Sequence, residues 1–491
     1  MLDFWVILAF GIYLCFMLGI GFFFSRKSKD VSDYFLGGRQ MGSWVTALSA
    51  QASDMSSWLL MGLPGAIYLS GLGSAWIAIG LTIGTYLNWK IVAARLRKYS
   101  YATGDAITIP QFLQNRFDTG SSIIRLICAI IIFVFFLVYT ASGFNAAAKL
   151  INNVFGLDYT IGLTIGVVII LAYTFLGGYF AVVWTDFFQG LLMFFALLIV
   201  PIVAFCSIEN ASFDMIREMS PSESYWSLTE STSIVDIISN LGWGLGYFGM
   251  PHILVRFMSI KSSDLIKKSR IIAMVWVILS FIGSVGVALI GYAYLEQHGI
   301  TLKGADSETI FMVLVKMVAP GFLAGILLCA IVSAIMSTSD SQLLVSASAV
   351  SNDFYKVVFR KNATNKELLL VSKIAVLVIG VIAYIIALDP NNTVMSLVSY
   401  AWAGFGAAFG PVILFALMWK RMTMSGAVAG MLSGGICVVV WNAFLAESTG
   451  LYELVPAFIL SSVMIVIVSL LSKKPSQQIV DTFESIKDLK I

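Results

Sequence analysis

Charge is what this 491-residue sequence has least of: Asp, Glu, Lys and Arg make up 12% of it, against 59% hydrophobic residues. Soluble globular chains carry about a quarter charged residues, so several soluble domains of this total length would be left without enough polar surface. The formal net charge is only +3, which argues against a nucleic-acid partner. Histidine occurs twice, at His252 and His298, with no Cys or carboxylate at ligand spacing, so no metal centre is expected from them. The five cysteines (Cys15, Cys128, Cys206, Cys329 and Cys437) stand singly in apolar runs and read as small buried hydrophobes. No nucleophile or acid–base constellation is present, so an enzyme is not expected. Residues 1–24 also lack a basic leader and a small-residue cleavage site, and Arg26, Lys27 and Lys29 follow the apolar run instead. That pattern predicts a retained spanning helix and not a cleaved signal.

What the chain has is long apolar runs. Stretches of about 20 residues suit a hydrocarbon core about 30 Å thick. They fall near 3–24, 43–69, 73–94, 124–150, 158–178, 187–208, 232–256, 271–296, 320–346, 368–388, 394–419, 424–445 and 453–472. The expected fold is therefore an all-α polytopic membrane protein of about thirteen spans, a single domain over 1–491 with a tail at 473–491. Segment 309–319 is apolar but carries Lys316 before Pro320, and is expected to be an external amphipathic segment. Alternating from an outside start gathers the basic residues, from Arg26 and Arg39 through Arg97, Arg116, Arg125 and Arg256 to Lys473, on one side. Lys149, Arg217, Lys303 and Lys316 remain on the other. The positive-inside rule then predicts an N-terminus outside and a C-terminus inside the plasma (cytoplasmic) membrane.

Two of these spans contradict their own helical pattern. The second holds Ala52-Ser53-Asp54-Met55-Ser56-Ser57-Trp58 ahead of Gly62-Leu63-Pro64-Gly65, and an ionisable residue inside a span marks a functional site by default. The seventh holds Gly242-Trp243-Gly244-Leu245-Gly246-Tyr247-Phe248-Gly249-Met250-Pro251. Glycine costs roughly 1 kcal/mol and proline about 3 kcal/mol in a helix interior, and backbone freed this way at membrane depth survives only where it is buried or lines a cavity. The string from Gly244 to Gly249 matches a dinucleotide fingerprint in letters only, since no strand precedes it. Five spans separate the two breaks and the direction reverses between them. Interrupted spans at equivalent points of inverted halves point to a transporter binding site, with repeats of spans two to six and seven to eleven (about 43–208 and 232–419). In span nine, Ala334, Ser337, Thr338 and Ser341 fall on one helical face beside Asp340; such hydroxyls either pack helices or, with unwound carbonyls from span two, ligate a hard cation. Asp186, at the expected start of span six, reads equally as a solvated helix-start residue and as a functional carboxylate.

With these residues in place, the chain resembles the sodium/solute symporter family, and within it the sodium/proline symporters. The resemblance runs from Asp33-Tyr34-Phe35-Leu36-Gly37-Gly38-Arg39 to Leu471. Its further motifs are Ala52–Ser56, Gly62–Ala66, Trp184-Thr185-Asp186, Gly242–Gly249, Met336-Ser337-Thr338 and Ser399–Ala407. It implies a five-plus-five inverted-repeat core that alternates access, with sodium as the coupling ion. By position it implies a sodium site from the carbonyls of Ala52, Met55 and Ala334 and the hydroxyls of Ser337 and Thr338, with Asp54 tuning sodium affinity. It implies substrate contacts at Ser56, Ser57, Tyr139, Trp243, Tyr247 and Pro251, a sodium route past Arg39, and a possible second sodium at Asp186, Asp340 and Ser341. Gln51 and Ser57 replace expected glycines and Met250 an expected glutamine. L-Proline is therefore the first substrate expected, with sialic acid, pantothenate, a sugar or a betaine as alternatives and a channel or sensor as the rival class. The oligomeric state is not legible.

Overall fold

The computed structural model describes residues 4–25, 35–118, 120–176, 178–209, 211–486, 489 and 491. Arg26, Lys27, Lys29, Asp33 and Tyr34, used above for orientation and resemblance, lie outside them. Among the described residues the regular structure is helical, apart from one isolated parallel bridge between Met41 and Ile260. Each of the thirteen expected stretches contains helix. Span one is Phe4–Ser25, four is Ile123–Phe155, five is Tyr159–Leu176, six is Tyr179–Cys206 and eight is Ile266–Gln297. Nine is Gly321–Ser348, ten Asn365–Ile386, eleven Val394–Met418, twelve Met424–Phe444 and thirteen Leu454–Leu471. Among the described residues ten helices are long and apolar enough to cross a membrane. Spans two and seven are not among these because they are broken, and five is short.

The breaks fall where the residues demand them. Span two runs as Ser43–Asp54, leaves helical geometry at Met55 (ψ 65°), and resumes through a π turn, Trp58–Gly62, into Leu63–Ser70. Span seven runs as Ile234–Gly242, tightens into a 3₁₀ stretch over Trp243–Gly249, and restarts at Pro251–Ser259. Pro251 is the first residue of its helix, where the missing amide costs nothing. Span three, Trp76–Leu87 then Ala93–Ala102, carries its own π turn at Asn88–Val92.

Spans three and seven cross with no side chain between them. A Cβ on Gly80 would meet the carbonyl of Leu241, one on Gly84 the carbonyl of Gly244, and one on Gly244 the carbonyl of Gly80. Gly80 and Gly84 are a small-xxx-small pair, the spacing that lets membrane helices approach backbone to backbone. Gly84→Val is expected to cost more than the ~1–3 kcal/mol of ordinary overpacking, because a backbone carbonyl cannot move aside like a side chain. Its level in the membrane and its melting temperature should both fall; wild-type values for both would contradict the crossing.

Three expectations are corrected here. Span six begins at Tyr179 and not near 187, so Asp186 lies two turns inside the helix, fully buried, and is no solvated helix-start residue. The apolar count stopped at Asp186 because it priced the carboxylate as uncompensated, whereas Arg256 pairs with it. Arg256, placed at the end of a span with the inner-loop cations, is therefore a core residue, 1% exposed. Lys149, counted as an outer-side charge, is also buried. Its Nζ lies 2.7 Å from Glu308 Oε2 and it also donates to the Asn392 carbonyl at 3.2 Å. Glu308 further accepts from the amides of Val394 and Met395 at the start of span eleven, both at 2.9 Å. This clamp joins the end of span four, the start of span eleven and the 3₁₀ turn Gly304–Thr309. Segment 309–319 forms the short helix Ile310–Val318 beside it, not a span, and the tail forms the helix Gln477–Ser485.

Candidate functional site

The site forms where the breaks of spans two and seven face each other and span nine. Leaving the helix at Met55 has a direct chemical result. The Leu59 amide, four residues on, donates to the Ser56 carbonyl instead of to Met55, so the Met55 carbonyl is not used by the helix ladder. On span nine, Ser337 Oγ donates to the Ala52 carbonyl at 2.8 Å and lies 3.4 Å from the Ala334 carbonyl. Thr338 Oγ1 is buried without a hydrogen-bond partner. Buried polar atoms are rarely left unpaired, so an oxygen of this kind among carbonyls suits a hard cation, which takes several oxygen ligands. The structure thus brings Ala52, Ala334 and Ser337 into contact, with Thr338 next in chain and the Met55 carbonyl free.

Asp54 does not hydrogen-bond to that group. Fully buried, its Oδ2 accepts from the Tyr247 hydroxyl at 2.6 Å, and its Oδ1 has no partner. The carboxylate therefore ties the break of span two to the break of span seven. Its backbone carbonyl gathers further contacts: the Ser56 amide at 2.9 Å, Trp58 Nε1 at 3.3 Å and the Tyr139 hydroxyl at 3.4 Å. Ser57 Oγ is buried and unpaired. Trp243 stands between Trp58, at 6.2 Å between ring centroids, and the stacked rings of Tyr452 at 5.4 Å and Trp402 at 6.4 Å. Trp402 Nε1 donates to the Trp243 carbonyl at 2.8 Å, and its ring meets Tyr247 edge-on at 5.2 Å. Ser56, Tyr139 and Tyr247 thus bond Asp54 directly, while Trp243 meets the neighbouring ring of Trp58. Pro251 instead lines a small pocket with Phe35, Ile107, Tyr179 and Arg256.

Asp186 and Asp340 meet around Arg256. The guanidinium donates to Asp186 Oδ2 at 3.0 Å, to Ser49 Oγ at 3.1 Å, to the His252 carbonyl at 2.8 Å and to Ser341 Oγ. Ser341 lies 3.4 Å from Asp340 Oδ1, while Asp340 Oδ2 and Asp186 Oδ1 remain buried without partners. Two carboxylates thus face one resident cation. Arg39 lies elsewhere, at the basic ends of spans three and seven. It bonds the carbonyls of Met258 at 2.6 Å and Ala106 at 2.8 Å and pairs with Asp105 at 2.7 Å. Its own φ of 54° and those of Gly37 (61°) and Gly38 (55°) make three successive left-handed residues, a turn only the glycines adopt freely.

Sequence reasoning missed Arg256, Trp402 and Asn88, whose side chain donates to the Tyr247 carbonyl at 2.9 Å. Arg256 was hidden by being counted as a topological charge. Trp402 lay inside the quoted string Ser399–Ala407 but carried no signal separating it from packing. Asn88 had a weak one, a polar residue in the middle of an apolar run.

The sodium:solute symporter family model matches residues 34–434. The osmoregulated proline transporter OpuE of Bacillus subtilis (strain 168) is 47% identical over 475 residues, 96% of each chain. The sodium/proline symporter of Escherichia coli (strain K12) is 47% identical over 476 residues, 96% of this chain and 94% of its own. Among solved structures, a Na+-coupled sialic acid symporter in a substrate-bound outward-open state superposes with a TM-score of 0.81 at 21% identity, covering 97% of this chain and all of that one. Its likeness bears on the fold: a five-plus-five inverted-repeat helical core. By the extent of the family match and the identity to these relatives, the chain belongs to the sodium:solute symporter family.

Proposed function

We propose that this chain takes up L-proline with sodium by alternating access across the plasma membrane, with its N-terminus outside and its C-terminus inside. It is a transporter and not an enzyme in this reading, one domain with core repeats of about 43–208 and 232–419 and a tail at 473–491. The observation that carries it is the single polar junction at the two breaks, where Asp54 is bonded to Tyr247 while Ser337 holds the Ala52 carbonyl. Sodium binds at the carbonyls of Ala52, Met55 and Ala334 with Ser337 and Thr338, joining span two to span nine. Asp54 adjusts that site from one residue away and passes its state to Tyr247. Each ligand thereby tightens the other, a reciprocal coupling of typically ~1–3 kcal/mol. Asp186, Asp340 and Ser341, around Arg256, form the place for a second sodium.

Proline is a zwitterion with an apolar ring. The half-helix start after the break of span two offers amides to its carboxylate. Trp243 and Tyr247 offer ring faces to the pyrrolidine and to the ammonium. The names of the relatives above support proline over the other solutes of the family.

Sodium-dependent uptake of radiolabelled proline into proteoliposomes, with unlabelled proline, sialic acid, pantothenate, glucose and glycine betaine as competitors, tests this reading. Uptake that requires sodium and is blocked by proline alone is expected; competition by another solute but not proline would overturn the substrate. Trp243→Ala should weaken proline affinity by roughly tenfold or more, the loss of one large ring contact, while leaving sodium binding measured alone nearly unchanged. Equal losses would point to damage to the fold and not to a substrate contact.

A further inference from the structure

On the outside of the bundle, at the basic ends of spans three and eight, two cations share one aromatic ring. Lys90 Nζ lies 5.4 Å from the centroid of Tyr86, and the Arg270 guanidinium carbon lies 5.5 Å from the same centroid. Lys90 comes from the π turn Asn88–Val92 and Arg270 from the beginning of span eight, so the pairing is made by the fold and not by neighbours in sequence. Tyr86 is 39% exposed, and Lys90 is exposed. Among the described residues neither cation belongs to an ion pair, whereas Arg39, Arg125, Lys149 and Arg256 each have a carboxylate. Away from this basic end both helices present exposed apolar residues, Ile83 on span three and Ile271, Val275 and Ile278 on span eight. Two cations gathered at one ring with no paired carboxylate leave a local positive charge, which the tyrosine offsets only in part.

We propose that Lys90, Arg270 and Tyr86 form a headgroup site for an anionic phospholipid, whose acyl chains lie along the exposed Ile83 and Ile271–Ile278 faces. The charge complementarity selects an anion, and the apolar strip adjoining it selects a lipid over a soluble phosphate. Basic clusters between membrane helices recruit anionic lipid at about 1 kcal/mol per Lys or Arg, and tyrosine suits the headgroup level, with an apolar body and a polar tip. The same π turn faces inward with two other contacts. Asn88 donates to the Tyr247 carbonyl at 2.9 Å, and the Trp89 ring meets Phe257 at 4.5 Å. A lipid held by Lys90 therefore steadies the turn that clamps the broken segment of span seven. π turns inside helices occur often at functional positions.

The test is native mass spectrometry of the full-length protein in detergent, titrated with phosphatidylglycerol and, in parallel, with phosphatidylcholine. The readout is binding, so it stands or falls apart from the identity of the transported solute. Phosphatidylglycerol should be retained in preference to phosphatidylcholine. Lys90→Gln with Arg270→Gln should cut its retention by roughly thirtyfold, two cations' worth of attraction. The control pair Lys366→Gln with Lys373→Gln, two exposed lysines on span ten, should leave retention unchanged. Lys90→Arg with Arg270→Lys, which keeps both charges, should retain the lipid, and Tyr86→Leu should lose part of it. Equal loss in the Gln pair and the control pair, unchanged retention in the Gln pair, or loss in the charge-keeping pair would overturn the site. Competition by millimolar glycerol phosphate would replace the lipid with a soluble anion and overturn it too.

Discussion

Asp54→Cys is expected to lower the sodium affinity of transport by on the order of a hundredfold, about 2.7 kcal/mol, while the protein still reaches the membrane. Asp54 makes one side-chain hydrogen bond, to the Tyr247 hydroxyl, and its second oxygen is buried with no partner. Cysteine removes the negative charge and most of that bond without adding bulk. Two losses then combine: the field beside the proposed sodium ligands Ala52 and Met55, and the tie that transmits an ordered span two to span seven. A charge in a buried site acts at a low effective dielectric, so its removal is felt several ångströms away. The sodium concentration that gives half-maximal uptake should rise sharply, and proline affinity at saturating sodium should change much less. Normal uptake at unchanged sodium dependence would sink the cation-site assignment.

Arg256→Gln should be more damaging to the molecule itself. Breaking a buried ion pair by removing one partner costs ~3–5 kcal/mol, a large part of the stability of about 5–15 kcal/mol that a native protein has. Here the loss leaves Asp186 with only the Ser49 hydroxyl, at 2.7 Å, beside a second buried carboxyl at Asp340, and deprives Ser49, Ser341 and the His252 carbonyl of a donor. The single variant should accumulate poorly and melt well below the wild type. Arg256→Gln combined with Asp186→Asn restores the charge balance and should recover a clear part of the melting temperature. A single variant that melts with the wild type would mean that the guanidinium is not what holds these spans together. If the pair serves a second sodium as well, the double variant should be folded but altered in how steeply uptake depends on sodium.

The architecture was largely legible from residues because a membrane removes most alternatives. Apolar length gave the spans, and the Gly242–Pro251 string gave the second break, since so many poor helix formers in one span need a reason. The Ser337–Thr338 face was legible as periodicity. What stayed hidden was pairing across the sequence. Asp186 read equally as solvated and as functional because its partner Arg256 is 70 positions away, and Lys149 read as an outer-side charge because Glu308 is 159 positions away. Basic residues near span ends were read as topology signals, yet Arg39, Arg97, Arg116 and Arg256 are all buried. The hydrogen bond from Tyr247 to Asp54 is of the same kind: each residue stood out alone, and only the packing of two broken helices joins them.

The bare crossing of spans three and seven carries a mechanical consequence. Where side chains separate two helices, rotamers can absorb a relative slide. Where glycine carbonyls lie directly against glycine α-carbons, as at Gly80, Gly84 and Gly244, nothing can yield, and the Asn88 side chain pins the same contact one turn further on. Span three and the Trp243–Gly249 stretch therefore behave as one stiff lever. Any rocking that opens the proposed proline site has to bend elsewhere, at the non-helical joints Met55 and Met250. In the proposed cycle access would then alternate by swinging whole bodies about two short pivots, with Trp243 and Tyr247 travelling with the lever instead of sliding past it.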